Sequence, residues 1–137
     1  TKAIELAPLH FKYHLHIAEL CIEHNKLDQA MIHLDNASKL QSDDQQDGKL
    51  QETLGNLWVA RKQFDRAYKA YSSSIKLSPT NAGLYFNAGL ALKQLKDYSE
   101  AMLMFKKSVE IDPQNVSAHR QLAAVSALGL ISGDVTT

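Results

Sequence analysis

A recurring phrase constrains this chain more than any other feature. Ile4-Glu5-Leu6-Ala7-Pro8, Ile75-Lys76-Leu77-Ser78-Pro79 and Val109-Glu110-Ile111-Asp112-Pro113 each run through two apolar residues to a proline, and they contain all three prolines of the sequence. Pro79 and Pro113 are 34 residues apart; Pro8 and Pro79 are 71 apart, which is two such units plus three residues. A fixed period of this length means that one supersecondary unit stacks on copies of itself, because a single unit cannot bury its own apolar face. The extra residues fall in Gln41-Ser42-Asp43-Asp44-Gln45-Gln46-Asp47, a polar, acidic, turn-prone stretch at the junction where the proline is missing.

Within that frame small and large apolar residues recur in register. Leu54-Gly55, Trp58, Ala67, Tyr71 and Pro79 are followed one unit later by Ala88-Gly89, Leu92, Ala101, Phe105 and Pro113, with Tyr85 ahead of them. Ile17-Ala18, Cys21, Ala30 and Leu34 form a looser version before, and Leu122-Ala123 and Ser126 begin another after. This pattern resembles the tetratricopeptide-repeat signature, in which an aromatic, Leu-Gly and an aromatic mark the first helix, and Ala, an aromatic and Pro mark the second. The resemblance covers nearly the whole chain and implies an all-α fold, a right-handed superhelical solenoid of antiparallel helix pairs. On this frame residues 1–10 are the tail of a preceding repeat, 11–47 a first unit with the acidic insertion, 48–81 a second and 82–115 a third. Residues 116–129 form a capping or partial fourth first helix, and 130–137 a flexible tail, with Gly129 and Gly133 marking a helix stop. First helices are expected near 11–24, 48–61, 82–94 and 116–128, and second helices near 27–40, 64–77 and 98–111.

Each part of the pattern has a physical reason. Ala18, Gly55, Gly89 and Ala123 remove bulk where two helices cross, allowing an interaxial distance near the low end of about 8–10 Å. Leu34, Trp58, Tyr71 and Phe105 are the knobs that fill the space between units, each burying roughly 2–3 kcal/mol of apolar surface. Asp47, Asn81 and Asn115 precede first helices as N-caps, and Asp28 and Asp65 place negative charge in the first turn of second helices. The family often has glycine in the turn inside each hairpin; Asn25, Lys62 and Lys96 stand there instead, and strained turns are expected.

Lys plus Arg and Asp plus Glu are both 15, so no net field draws in nucleic acid or an anionic membrane. No apolar run approaches the roughly 18 residues of a membrane-spanning helix. The single cysteine, Cys21, excludes an internal disulfide framework and suits a reducing compartment such as the cytoplasm. The chain does not begin with Met and reads as an excerpt from a longer protein. His10 and His14 are spaced i,i+4, but His16 points elsewhere on the wheel and no Cys or carboxylate completes a ligand set. Asp43, Asp44 and Asp47 lack the central Gly and terminal Glu of a calcium loop. A phosphate loop, a nucleophile elbow and a catalytic triad are all missing, so neither catalysis nor a cofactor or metal is expected.

In a helical solenoid the first helices line a concave groove, and the side chains one turn from the packing positions face a partner. These are Lys12, Leu15, His16, Glu19 and Glu23; Lys49, Glu52, Thr53, Asn56 and Val59; Phe86, Asn87, Leu90, Lys93 and Gln94; and Ser117, Arg120, Gln121 and Ala124. Their mixed polarity suits an extended peptide or a partner helix held by a few apolar anchors and amide hydrogen bonds, the mark of an interaction scaffold or adaptor. Within the family, co-chaperones hold the acidic tail of heat-shock chaperones with two Lys, two Asn and one Arg. Asn56 and Asn87 match the asparagines, whereas Glu52, Ser117 and Gln121 replace the cations, with Arg120 adjacent to the last. That exchange removes the groups that recognise a carboxylate. The alternatives are a self-associating module joined through incomplete terminal units as a homo-oligomer, and a regulatory or recruiting segment of a larger enzyme.

Overall fold

The computed structural model describes residues 2–40 and 48–132, which form seven helices: α1 Lys2–Glu23, α2 Leu27–Leu40, α3 Lys49–Ala60, α4 Phe64–Leu77, α5 Ala82–Gln94, α6 Tyr98–Ile111 and α7 Val116–Ser132. Among these residues there is no strand, and no helix is long and apolar enough to cross a membrane. Each helix packs on the next in chain order, and α1 also touches α3, so the described residues form an all-α solenoid of antiparallel helix pairs.

The small-against-large pairing closes each hairpin. Gly55 faces the ring of Tyr71 and Gly89 that of Phe105, so closely that a Cβ on either glycine would meet ring carbons at 2.5 Å and 2.7 Å. Tyr71, Phe105 and Leu34 are buried. Trp58 is not: it stays half-buried at the edge of the α4–α5 core, and the Arg66 guanidinium covers its ring at 5.1 Å. Ala123 occupies the position equivalent to Gly55 and Gly89 but is exposed, because among the described residues no helix follows α7 to cross it.

Polar ties repeat with the same period. Ser74 Oγ donates to Gly48 O at 2.7 Å, and Ser108 Oγ, 34 residues on, donates to Ala82 O at 3.0 Å. Tyr85 Oη donates to Pro79 O at 2.8 Å, and His119 Nε2 meets Pro113 O at 2.7 Å. Asn81 accepts from Gly83 N and Asn115 from Ala118 N, as expected of N-caps. Asp47 lies outside the described residues, and α3 is capped by Gly48 at φ 86°, a conformation that favours glycine.

Asn25, Lys62 and Lys96 all adopt left-handed backbone, with φ of 59°, 61° and 64°. The following amides reach back to Cys21 O, Trp58 O and Leu92 O at 2.7, 2.8 and 3.0 Å, closing each helix end with a Schellman-type bond. The geometry suits glycine, and only asparagine among the three side chains tolerates it well. Lys62→Gly and Lys96→Gly are each expected to raise stability by about 0.5–1 kcal/mol, the relief of strain less the added freedom of the unfolded chain. Denaturant melts of the two variants beside the parent check this.

Two expectations fail at the ends. Residues 2–10 are not the end of a separate helix; α1 runs without a break from Lys2 through Pro8 to Glu23. Proline removes one intrahelical donor and restrains its neighbour, which does not by itself stop a helix already formed on its C-terminal side. Likewise α7 passes through Gly129, which is buried, and runs to Ser132, the last described residue. Glycine in a helix costs only about 1 kcal/mol, which packing offsets. The expected acidic insertion at 41–47 and the last residues, 133–137, lie outside the described residues.

Candidate functional site

The first helices turn one face toward a common trough of about 460 Å³. Ile22 of α1, Asn56, Val59 and Ala60 of α3, and Asn87, Leu90, Ala91 and Gln94 of α5 line it, and Phe64 and Tyr71 of α4 form part of its wall. None of these residues carries a charge. Ile22 and Asn56 also border a second basin of about 320 Å³ whose other walls are Glu19, Glu23 and Lys49, so the two recesses adjoin.

Asn56 is oriented from behind. Tyr71 Oη donates to Asn56 Oδ1 at 2.5 Å, which occupies the amide oxygen and leaves the Nδ2 hydrogens as the donors available to the trough. Burial, and then the charge of Glu52, push the Tyr71 phenol above its usual range, so it remains an O–H donor at any physiological pH. Gly55 is part of the same device, since only a residue without Cβ lets the Tyr71 ring lie close enough to reach Asn56.

Charge gathers in the adjoining basin. Lys49 Nζ meets Glu19 Oε1 at 3.1 Å and Glu52 Oε1 at 3.5 Å. Burial pulls the Lys49 ammonium down, but the hydrogen bonds and charges of the two glutamates outweigh it and hold the group above the ordinary lysine value. Outside the trough lining, Lys93 Nζ donates to Gln121 Oε1 at 3.0 Å, joining α5 to α7.

Of the residues singled out from sequence, Asn56, Asn87 and Leu90, with Val59 and Gln94, line the trough; Glu19, Glu23 and Lys49 line the basin; Glu52 touches the basin through Lys49; and Lys93 and Gln121 pair with each other and line neither recess. Lys12, His16, Arg120 and Ser117 are exposed and line neither recess, and Ala124 is half-exposed. Leu15 and Thr53 are buried, Thr53 with its hydroxyl on Lys49 O at 2.9 Å, and so belong to the core. Phe86 is half-buried against Phe105, ring centroids 5.8 Å apart, and is absent from the trough lining: its ring serves the α5–α6 core. Phe64 and Tyr71 line the trough from a second helix, a contribution that the pattern of first helices does not predict. The signal existed in Leu27, Phe64 and Tyr98, which open the three second helices with a large apolar residue each.

The histidines make a different arrangement. His14 Nδ1 lies 2.9 Å from His33 Nδ1, and Tyr13 sets its ring edge-on to both imidazoles. Burial, then the neighbouring His33 and His10, lower the His14 pKa. Among the described residues no group of three or more His, Cys, Asp or Glu is placed to hold a metal ion.

Comparison with known proteins agrees with this architecture. The family profile described as "Tetratricopeptide repeat" matches residues 82–115, and that described as "TPR repeat" matches residues 55–96. The chain is 30% identical over 81 residues to the tetratricopeptide repeat-containing protein trd-1 of Caenorhabditis elegans, covering 59% of this chain and 10% of that one. It is 34% identical over 80 residues to the human DnaJ homolog subfamily C member 7, covering 56% of this chain and 16% of that one. The match thus spans a tenth to a fifth of the length of such relatives. Among solved structures it is similar to the first TPR of Spaghetti (RPAP3) bound to an HSP90 peptide, with TM-score 0.79, 18% identity and coverage of 87% and 92%. The second TPR domain of human RPAP3, in complex with an HSP70 peptide, gives TM-score 0.78, 14% identity and coverage of 88% and 98%. With periodic sequence, stacked helix pairs and matching profiles in agreement, residues 55–115 are tetratricopeptide repeats, and the described helices on either side continue the same fold.

Proposed function

We propose that this chain is a protein-interaction adaptor that binds an extended peptide or a partner helix along the trough between α1, α3 and α5, and that it has no catalytic role of its own. The observation that carries this reading is the combination of an uncharged, largely apolar recess with amides from two successive units, Asn56 and Asn87, on its wall. An extended peptide offers backbone carbonyls and side chains on opposite sides, so amide donors hold the first while Val59, Leu90 and Phe64 take the second. Residues 11–47, 48–81 and 82–115 are read as the three units that contribute to this surface. The two RPAP3 domains of the same fold bind chaperone peptides, which supports a peptide as the occupant. Chaperone tails themselves are disfavoured, because Glu52, Ser117 and Gln121 stand where the clamp has cations and the Gln121 amide is already engaged with Lys93.

The variant Asn87→Ala, Leu90→Ala tests the reading and avoids Phe86, whose removal would disturb the core. It is expected to keep the helical circular dichroism of the parent while weakening capture of the native partner about tenfold or more, as the loss of a central anchor does. Undiminished capture by the folded variant moves the site off the trough.

A further inference from the structure

Building on the trough as the binding surface, we infer that its occupant is a peptide carrying an apolar side chain with a Lys or Arg beside it, the apolar group in the uncharged trough and the cation in the adjoining basin. Three observations point to this. The two recesses share Ile22 and Asn56, so they lie side by side within the reach of neighbouring side chains on one short peptide. The trough lining has no charge, so it selects an apolar side chain and is indifferent to its neighbours. The basin differs: Glu19 and Glu23 line it, Glu52 lies against Lys49, the one cation among its described lining residues, and Lys49 is already held between Glu19 and Glu52. Three carboxylates around one ammonium leave formal negative charge, and Glu23 is exposed with no ion pair among the described residues. The sequence as a whole is neutral, so this is a local field confined to one end of the groove. A cation entering there meets unneutralised carboxylate, whereas an aspartate or glutamate would be repelled and would have to strip Lys49 from its partners.

The test is a positional-scanning array of nonapeptides with a fixed central Leu, probed with labelled protein in four forms: the parent, the double variant Glu19→Gln with Glu23→Gln, the single variant Glu23→Lys, and Leu90→Arg. In the parent, Lys or Arg beside the Leu is expected to exceed Asp or Glu by about threefold to tenfold in signal, the range of partly exposed charge pairs. The preference should shrink in 0.5 M salt. The Glu19→Gln, Glu23→Gln form is expected to keep binding Leu-centred peptides and lose the basic preference, and Glu23→Lys alone, which also brings these groups to formal neutrality, should abolish it. Acidic or charge-indifferent selection by the parent, with binding still abolished by Leu90→Arg, overturns the basic-peptide inference and leaves the trough standing. Binding untouched by Leu90→Arg, or no binding of any Leu-centred peptide by the parent, overturns both.

Discussion

Phe105→Ala is expected to destabilise the chain by about 3–5 kcal/mol, the usual cost of emptying a fully buried aromatic site. The ring is completely buried between α5, α6 and α7, packed with Leu92, Ala101 and Val125 and against the half-buried Phe86 and Leu122. Domains of this size have only about 5–15 kcal/mol in total, so the variant should stand near the limit of folding. A solenoid unit contacts only its neighbours, which makes the damage local in the first instance. Hydrogen exchange should accordingly show α6 and α7 losing protection while α1 and α2, whose core is a separate cluster built on Phe11, Leu15 and Leu34, keep theirs. Equal loss in all helices would mean that the array folds as one cooperative block.

The second large effect concerns glycine. A helical glycine is normally worth replacing, since alanine gains about 1 kcal/mol of helix propensity. At Gly89 the added Cβ would sit 2.7 Å from Phe105 Cε1 and 2.9 Å from two further ring carbons, and the ring is enclosed on its other sides. Gly89→Val is therefore expected to lose about 2–3 kcal/mol, at the upper end of overpacking costs. Ala123 provides the internal control: it holds the equivalent place in α7, is exposed, and should accept valine within about 0.5 kcal/mol. A denaturant titration of Gly89→Val and Ala123→Val reads both, and equal costs would contradict the assignment of the helix crossing to position 89. Gly55→Val should carry the same penalty and an added one in binding, because the displaced Tyr71 ring would release Asn56.

These pairs explain why so much of the fold was legible. A glycine fixed 16 residues ahead of an aromatic, repeated at a constant period, encodes which helices touch and where, so α2, α4, α5 and α6 fall at the expected residues and α3 within one of them. What the sequence hid was set by circumstances with no period. Pro8 looks like a boundary locally, yet α1 continues through it; Gly129 looks like a stop, yet α7 passes it. The pairing of His14 with His33 joins two helices at residues that no neighbouring unit repeats. The trough was half visible: Asn56, Asn87 and Leu90 follow from the helical wheel, but the wheel cannot tell that Phe86 leans onto Phe105, nor that Tyr71, a core residue by its pattern, also orients an amide at the surface.

The most direct test of the central claim places a photo-crosslinking benzoylphenylalanine at Gln94 or Val59 in the trough and, in parallel, at Leu103 or Ile32, exposed residues of α6 and α2 that line neither recess, before incubation with native extract. The account predicts a discrete partner adduct from the trough positions, absent from the other two and suppressed by Asn87→Ala. Adducts formed equally or preferentially from Leu103 or Ile32 would contradict it and assign recognition to the outer helices.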